Sequence, residues 1–329
     1  FVLFLTSVFA LSLAVAPAPP VAAAPMTYTV TSASCTGPGS ITEAMALANA
    51  NPGEDTITFT PGLQISADQC PIIRRGFRFF LQATESVIFE GNGARLVGQI
   101  GWVTSGGLFR PIGPNAACPG LTAKDLITAE TPGFIAVGNE KQDISAITVI
   151  VRDLDMQELN SVAYISKNAS LILEDLSLNN IIAGGGGCKA PAIVVEEGAN
   201  FTARRTEWDT IWNVNTVIPS NVVAGEKLSY TAAGAILGGG GNLNIEESHF
   251  KDIWQGGTIA FTGQAGNQVN IVSSRFEGAQ GIFMSSGGEA ETNIVNSIWS
   301  SESIGAPSIT DRIVNASSGE MNIIASTIL

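Results

Sequence analysis

From Thr148 the chain reads TVIVRDLDM, and the same nine-residue pattern returns as SLILEDLSL from Ser170, NFTARRTEW from Asn200, NLNIEESHF from Asn242, QVNIVSSRF from Gln268, ETNIVNSIW from Glu291 and EMNIIASTI from Glu320. The copies align without gaps. Their second position is Val149, Leu171, Phe201, Leu243, Val269, Thr292 and Met321, and their fourth is Val151, Leu173, Ala203, Ile245, Ile271, Ile294 and Ile323. Residues two apart share one face of a strand. The fourth positions are therefore expected to stack as one buried column from Val151 to Ile323. The ninth position, Met156, Leu178, Trp208, Phe250, Phe276, Trp299 and Ile328, is apolar and largely aromatic, and should fill the interior.

The copies start 22, 30, 42, 26, 23 and 29 residues apart, which fits one turn of a solenoid with loops of variable length. A second apolar run recurs between them at Ala192–Val195, Ala235–Leu237, Thr258–Phe261, Gly281–Met284 and Ser308–Ile309, separated by Gly or Asn turns. A leucine-rich horseshoe needs shorter, more regular repeats, and a propeller needs longer ones. The expected fold is mostly β, a right-handed parallel β-helix whose parallel strands are joined by right-handed crossovers. Val87–Leu96 reads as an earlier turn of it, with a Gly91-Asn92-Gly93 corner. Residues 101–145 show no period and read as an irregular insertion, so the clearest repeats span 148–329.

A solenoid must close its ends against exposed core and open strand edges. Ser40 and Glu43 form a capping-box pattern, and Ile41, Ala44, Met45 and Ala48 follow at helical spacing until Asn51-Pro52-Gly53. A short amphipathic helix should thus cap the first turn, with Asp55–Phe59 as an alternating strand and the cap occupying about 27–60. Upstream, Phe1 to Ala16 is nearly unbroken apolar sequence, followed by prolines and Val21-Ala22-Ala23-Ala24. That is the core and cleavage region of a signal peptide, read as 1–24, with the β domain at 25–329. The run is too short for a comfortable membrane span. No Met opens the chain and an apolar strand pattern closes it, so both ends are expected to be truncated.

These cap residues resemble a family of bacterial secreted β-helix proteins with a Cys-Ser-Leu-Arg-Glu-Ala-Ile motif, an Ala-Asn pair and then Gly-x-Asp-Thr-Ile-x-Phe. Here Cys35 is followed by Ser40-Ile41-Thr42-Glu43-Ala44-Met45, Ala48-Asn49 and Gly53-Glu54-Asp55-Thr56-Ile57-Thr58-Phe59. Four residues are inserted after the Cys, and Ile, Thr and Met replace the usual Leu, Arg and Ile. The resemblance implies an adhesin-like or polymorphic outer-membrane-protein-like molecule at the cell surface or outside the cell. It implies no chemistry.

With 29 acidic and 16 basic residues, the net charge of −13 argues against nucleic acid or an anionic membrane as partner. Four Cys in an exported chain can pair in three ways. Cys35 and Cys70 flank the cap helix and first strand and are expected to join, leaving Cys118 and Cys188 as the second pair. The single His249 gives His-based metal sites and catalytic triads almost no material. It is expected to face outward at a turn.

Fifth positions Arg152, Glu174, Arg204 and Glu246 alternate in charge and should form a ladder up one side, since stacked strands lie about 4.8 Å apart. At the sixth position, Asp153 and Asp175, with Asp155 nearby, could cluster beside an Arg. That is a weak metal-site pattern of the kind by which some β-helix polysaccharide lyases hold calcium, and its plainer reading is solvated ion pairs. Trp212 and Trp254 fall four residues past the ninth position of successive repeats. If Ile211 and Ile253 point inward, the two indoles face outward as a platform for sugar rings; cover over a loop seam is the plainer alternative. The expected function is non-enzymatic binding of a polysaccharide or a host or matrix surface, without a cofactor. The alternative is a calcium-dependent polysaccharide lyase or glycoside hydrolase.

Overall fold

The computed structural model describes residues 23–71, 79–98, 101–105, 108–112, 133–138, 146–159, 161–183, 192–213, 233–238, 241–254, 257–261, 265–277, 285–286, 290–300, 315–316 and 320–328. The chain is mostly β and its large sheets are parallel. The main sheet has 17 strands, a second has six, and their repeating order is compatible with a β-rich solenoid. Strands Ile147–Gln157, Ala169–Glu174, Ala199–Arg204, Gly241–Glu246, Gln268–Val272, Glu291–Val295 and Met321–Ile324 pair successively. Their register is that of the repeat, with Leu173 beside Val151 and Ala203, and Ile271 beside Ile245 and Ile294. At the amino-terminal end Val87–Val97, Asp55–Phe59 and Thr27–Val30 continue the ladder. The six-stranded sheet stacks Phe79–Ala83, Gly133–Val137, Ala163–Ile165, Ile193–Val195, Ala233–Gly238 and Gly257–Phe261. Gly133–Val137 lies inside the span that shows no period in sequence, and Gly101–Ser105 pairs with Leu108–Ile112 there as an antiparallel hairpin. The runs at 281–284 and 308–309 lie outside the described residues.

The nine-residue pattern is two short strands around a corner. Its sixth residue, Asp153, Asp175, Arg205, Glu247, Ser273, Asn296 or Ala325, has φ between 48° and 54°. That left-handed residue turns the chain between residues 5 and 7. In the earlier repeat Asn92 and Gly93 take positive φ and the register shifts between Glu90 and Ala94. A Cβ on Gly91 would meet the Asp153 carbonyl, so this corner requires glycine.

The fourth-position column is buried from Val151 to Ile294, but Ile323 is 47% exposed. Ile323 keeps the register of the column, beside Ile294, in the last copy of the given sequence. The ninth-position aromatics stack, with centroids 4.9 Å apart for Trp208–Phe250 and Phe250–Phe276 and 3.8 Å for Phe276–Trp299.

The cap helix is Ile41–Ala50, and Ser40 Oγ accepts the Glu43 N–H as an N-cap should. The Glu43 carboxylate reaches back to the Gly39 N–H at 2.6 Å rather than to that of Ser40. Ile41, Ala44, Met45 and Ala48 are buried. Cys35 and Cys70 form a disulfide with Cα atoms 5.0 Å apart. Cys118 and Cys188 lie outside the described residues.

Burial sets two expectations. Ile271→Ala should cost about 2–5 kcal/mol in urea unfolding, as for other buried Ile truncations, whereas Ile298→Ala, at a position 40% exposed, should cost a small fraction of that. Joint replacement of Cys35 and Cys70 by Ser should lower stability by about 2–4 kcal/mol, read as a fall in Tm.

Candidate functional site

The fifth-position side chains form a continuous ion-pair ladder. Arg152 donates through Nη1 to Glu90 at 2.9 Å and through Nε to Glu174 at 2.7 Å. Arg204 then bridges Glu174 at 2.7 Å and Glu246 at 2.8 Å. Only 11% of the Glu174 side chain is exposed, between two guanidiniums. Hydrogen bonds to their carboxylate neighbours, Glu174 and Glu90 for Arg152 and Glu246 foremost for Arg204, push both guanidinium pKa values up. The third positions form a second ladder, in which Asn270, Asn293 and Asn322 each donate Nδ2 to the Oδ1 of the preceding Asn at 2.9–3.1 Å, beginning at Asn244.

The three candidate metal carboxylates have different surroundings. Asp175 takes a bidentate pair from Arg205 at 2.7 and 2.9 Å, and Asp155 accepts from Arg95 Nε at 3.3 Å. Asp153 occupies the left-handed corner and is exposed. Among the described residues no group of three His, Cys, Asp or Glu side chains is placed to hold a metal ion.

A more varied polar face lies past the corner, on Glu207–Asn213, His249–Trp254 and Arg275–Glu277. These strands pair in register, so that Glu207, His249 and Arg275 stack, as do Asp209, Lys251 and Glu277. His249 sits between two carboxylates, its Nδ1 3.3 Å from Glu207 and its Nε2 3.0 Å from Glu277. Arg275 also pairs with Glu277. Lys251 Nζ lies 3.6 Å from Asp209, whose carboxylate accepts the Thr210 hydroxyl at 2.8 Å. Asp252, half-buried and at φ 51°, starts the last part of its strand. Burial pushes its carboxyl pKa up, the charges of Asp209 and Glu277 add to the rise, and Lys251 opposes it. For Glu277 burial acts upward, but the hydrogen bonds from His249 and Arg275 outweigh it and hold the carboxyl below its usual range.

Beyond Asp252, Ile211 and Ile253 are fully buried and paired, and Trp212 pairs with Trp254 in the next register position. Their side chains lie outside what is described. A shallow groove of about 330 Å³ adjoins Arg275 and runs along the corner past Ser273, Asn296 and Thr327. The face thus offers carboxylate acceptors and cationic donors at the spacing of parallel strands. The sequence reading selected Trp212 and Trp254 but passed over Asp209, Lys251, Asp252 and Glu277. Their signal was the charge density at the eighth to eleventh positions of these copies. No protein-family model matches the chain, and no curated protein matches it in sequence.

The Asp175–Arg205 pair gives a pH dependence with a definite sign. Its hydrogen bond to Arg205, the largest cause, holds the Asp175 carboxyl below its usual pKa. A folded pKa below the unfolded one contributes stability that is present above the ordinary carboxylate range and lost as pH falls through the folded value. Arg205→Met should therefore be less stable than wild type near pH 6, with the gap closing toward about pH 3. Urea midpoints across that range measure it, and a constant gap would contradict the pairing.

Proposed function

We propose that the chain is an exported right-handed parallel β-helix that binds a polysaccharide, or a host or matrix surface, without catalysis, on the face formed by Glu207–Asn213, His249–Trp254 and Arg275–Glu277. The observation that carries this reading is the register of Trp212 on Trp254 beside Asp209, Lys251 and Asp252. Indole faces suit the apolar faces of sugar rings, while adjacent charged groups suit their hydroxyls. Handedness rests on the near-universal right-handed crossover between parallel strands of one sheet. Export rests on the leader pattern of residues 1–24 and on the Cys35–Cys70 disulfide, a bond that persists in oxidising compartments. No helix among the described residues is long and apolar enough to cross a membrane.

The calcium-dependent lyase reading draws less support. Asp155 and Asp175 are engaged by Arg95 and Arg205, and proton abstraction needs a base and a charge stabiliser aimed at one atom. Binding asks only for an array of weak contacts, which repetition multiplies.

The test is retention of purified protein on immobilised neutral and acidic polysaccharides. Trp212→Ala/Trp254→Ala should retain its circular dichroism spectrum and lose at least roughly tenfold in affinity, the factor for about 1.4 kcal/mol of lost contact. Chelator should leave wild-type binding intact. Unchanged retention in the double variant removes the platform, and calcium-dependent unsaturated product that disappears in Asp153→Ala overturns the non-catalytic reading.

A further inference from the structure

Asp55 begins the strand that follows the cap helix, and it is fully buried. Its Oδ1 accepts the Met26 N–H and a proton of Asn51 Nδ2, both at 2.8 Å. Its Oδ2 is also buried and has no hydrogen-bond partner. An ionised oxygen left in that condition is costly unless a donor or a cation reaches it. A second observation lies alongside. The cap helix ends at Ala50 with no basic residue in its last turn, so the partial negative charge of its carboxyl end lacks the cation that such ends favour.

The segment packed on both features is the end of the leader pattern. The Ala23 N–H donates to the Pro52 carbonyl at 3.1 Å, and the Ala24 carbonyl accepts from Asn51 Nδ2 at 3.2 Å. Met26 is fastened on both sides, its N–H to Asp55 and its carbonyl to the Thr56 N–H at 2.8 Å. Residues 23–26 thus lie along Asn51, Pro52 and Asp55, next to the small-residue run at which a leader is cut.

We propose that the leader is removed within Ala22-Ala23-Ala24-Pro25 and that the α-ammonium so exposed, on Ala23, Ala24 or Pro25, is held between the Asp55 carboxylate and the carboxyl end of the cap helix. The cut is hydrolysis of one peptide bond by an extracytoplasmic leader peptidase. Water is consumed, the leader departs with the new carboxylate, and the mature chain keeps the amine, which takes up a proton. Each candidate nitrogen is one to three residues from the Met26 nitrogen, within about 3.3–3.6 Å of reach per residue. The new ammonium brings both donors and a charge opposite to Asp55, and processing completes the cap. This inference rests on the exported reading above.

The experiment has two arms. Intact mass and amino-terminal sequencing of the exported protein should give Ala23, Ala24 or Pro25 as the first residue. Isotopic dimethyl labelling of the α-amine, followed by NMR titration, should place its pKa about one unit or more above the ordinary 7.7–8.0, and Asp55→Asn should return it to that range. Asp55→Asn keeps the Oδ1 acceptor, and a four-residue amino-terminal extension is a second variant, expected to lower Tm in wild type but not in Asp55→Asn. A first residue elsewhere, or an α-amine of ordinary pKa, overturns the proposal. Protein retained inside the cell with its leader attached sinks the exported reading instead. A chain begun at Ala24 by tag removal then still decides whether the ammonium docks.

Discussion

Parallel pairing in strict repeat register is the constraint on which the rest of the structure depends. It sets each residue directly against its counterpart in the next copy, so every column must be chemically compatible with itself. Apolar columns meet this by packing, and the ninth position does so with stacked rings from Trp208 to Trp299. Asparagine meets it because its amide is both donor and acceptor, which lets Asn244, Asn270, Asn293 and Asn322 chain together. Charge cannot, since like charges directly opposite are destabilising. The fifth column therefore alternates through Glu90, Arg152, Glu174, Arg204 and Glu246, and where alternation stops it becomes Val272, Val295 and Ile324.

Register must also survive the corner at the sixth position, where a non-glycine residue in the left-handed region costs about 1 kcal/mol or more. The seventh position supplies the restraint. The backbone N–H of Thr206 donates to Ser248 Oγ, that of Ser248 to Ser274 Oγ, that of Ser274 to Ser297 Oγ and that of Ser297 to Ser326 Oγ, at 3.1–3.2 Å. Each of these serine hydroxyls in turn donates to the carbonyl two residues before it at 2.8–3.0 Å. Thr206 ties this line to the core, accepting from Trp208 Nε1 at 2.7 Å. In the earlier copies Leu154 and Leu176 hold the same place by burial alone. With the corner fixed from beneath, residues as different as Arg205, Glu247 and Ala325 serve at its tip.

Much of this was legible in sequence because it is periodic. The buried columns, the alternating fifth position and the coincidence of Trp212 with Trp254 follow from alignment of the copies. Other features carried no period. Gly133–Val137 joins the second sheet from a stretch without repeats, and Arg95 meets Asp155 from a copy whose corner includes extra residues. The serine line was invisible for a different reason. A Ser beside a turn reads as surface, and only its burial to 3% exposure or less at Ser248, Ser274 and Ser297 shows that it is structural. The unpartnered oxygen of Asp55 likewise depends on which donors three dimensions bring near it.

Columns that satisfy themselves have little left for a ligand. In the charged and asparagine ladders the inner side chains, Arg152, Glu174, Arg204, Asn270 and Asn293, are engaged above and below, and a ligand would have to displace bonds already made. The face past the corner differs because it sets two polar columns side by side, one of which does not alternate in charge. Glu207, His249 and Arg275 follow one another with Asp209, Lys251 and Glu277 alongside. His249 illustrates what this leaves over. Its two ring nitrogens reach the carboxylates of Glu207 and Glu277 through one contact each, and a carboxylate offers more acceptor sites than one contact uses, so both keep acceptor capacity. Asp252, whose carboxyl pKa is pushed up by burial and by the charges of Asp209 and Glu277 against the opposing Lys251, adds a further carboxyl beside the Lys251 ammonium. Carboxylate acceptors and the Lys251 ammonium donor thus lie within one strand spacing of each other. Departure from self-complementarity, more than the presence of any single residue type, distinguishes this face from the two ladders among the described residues.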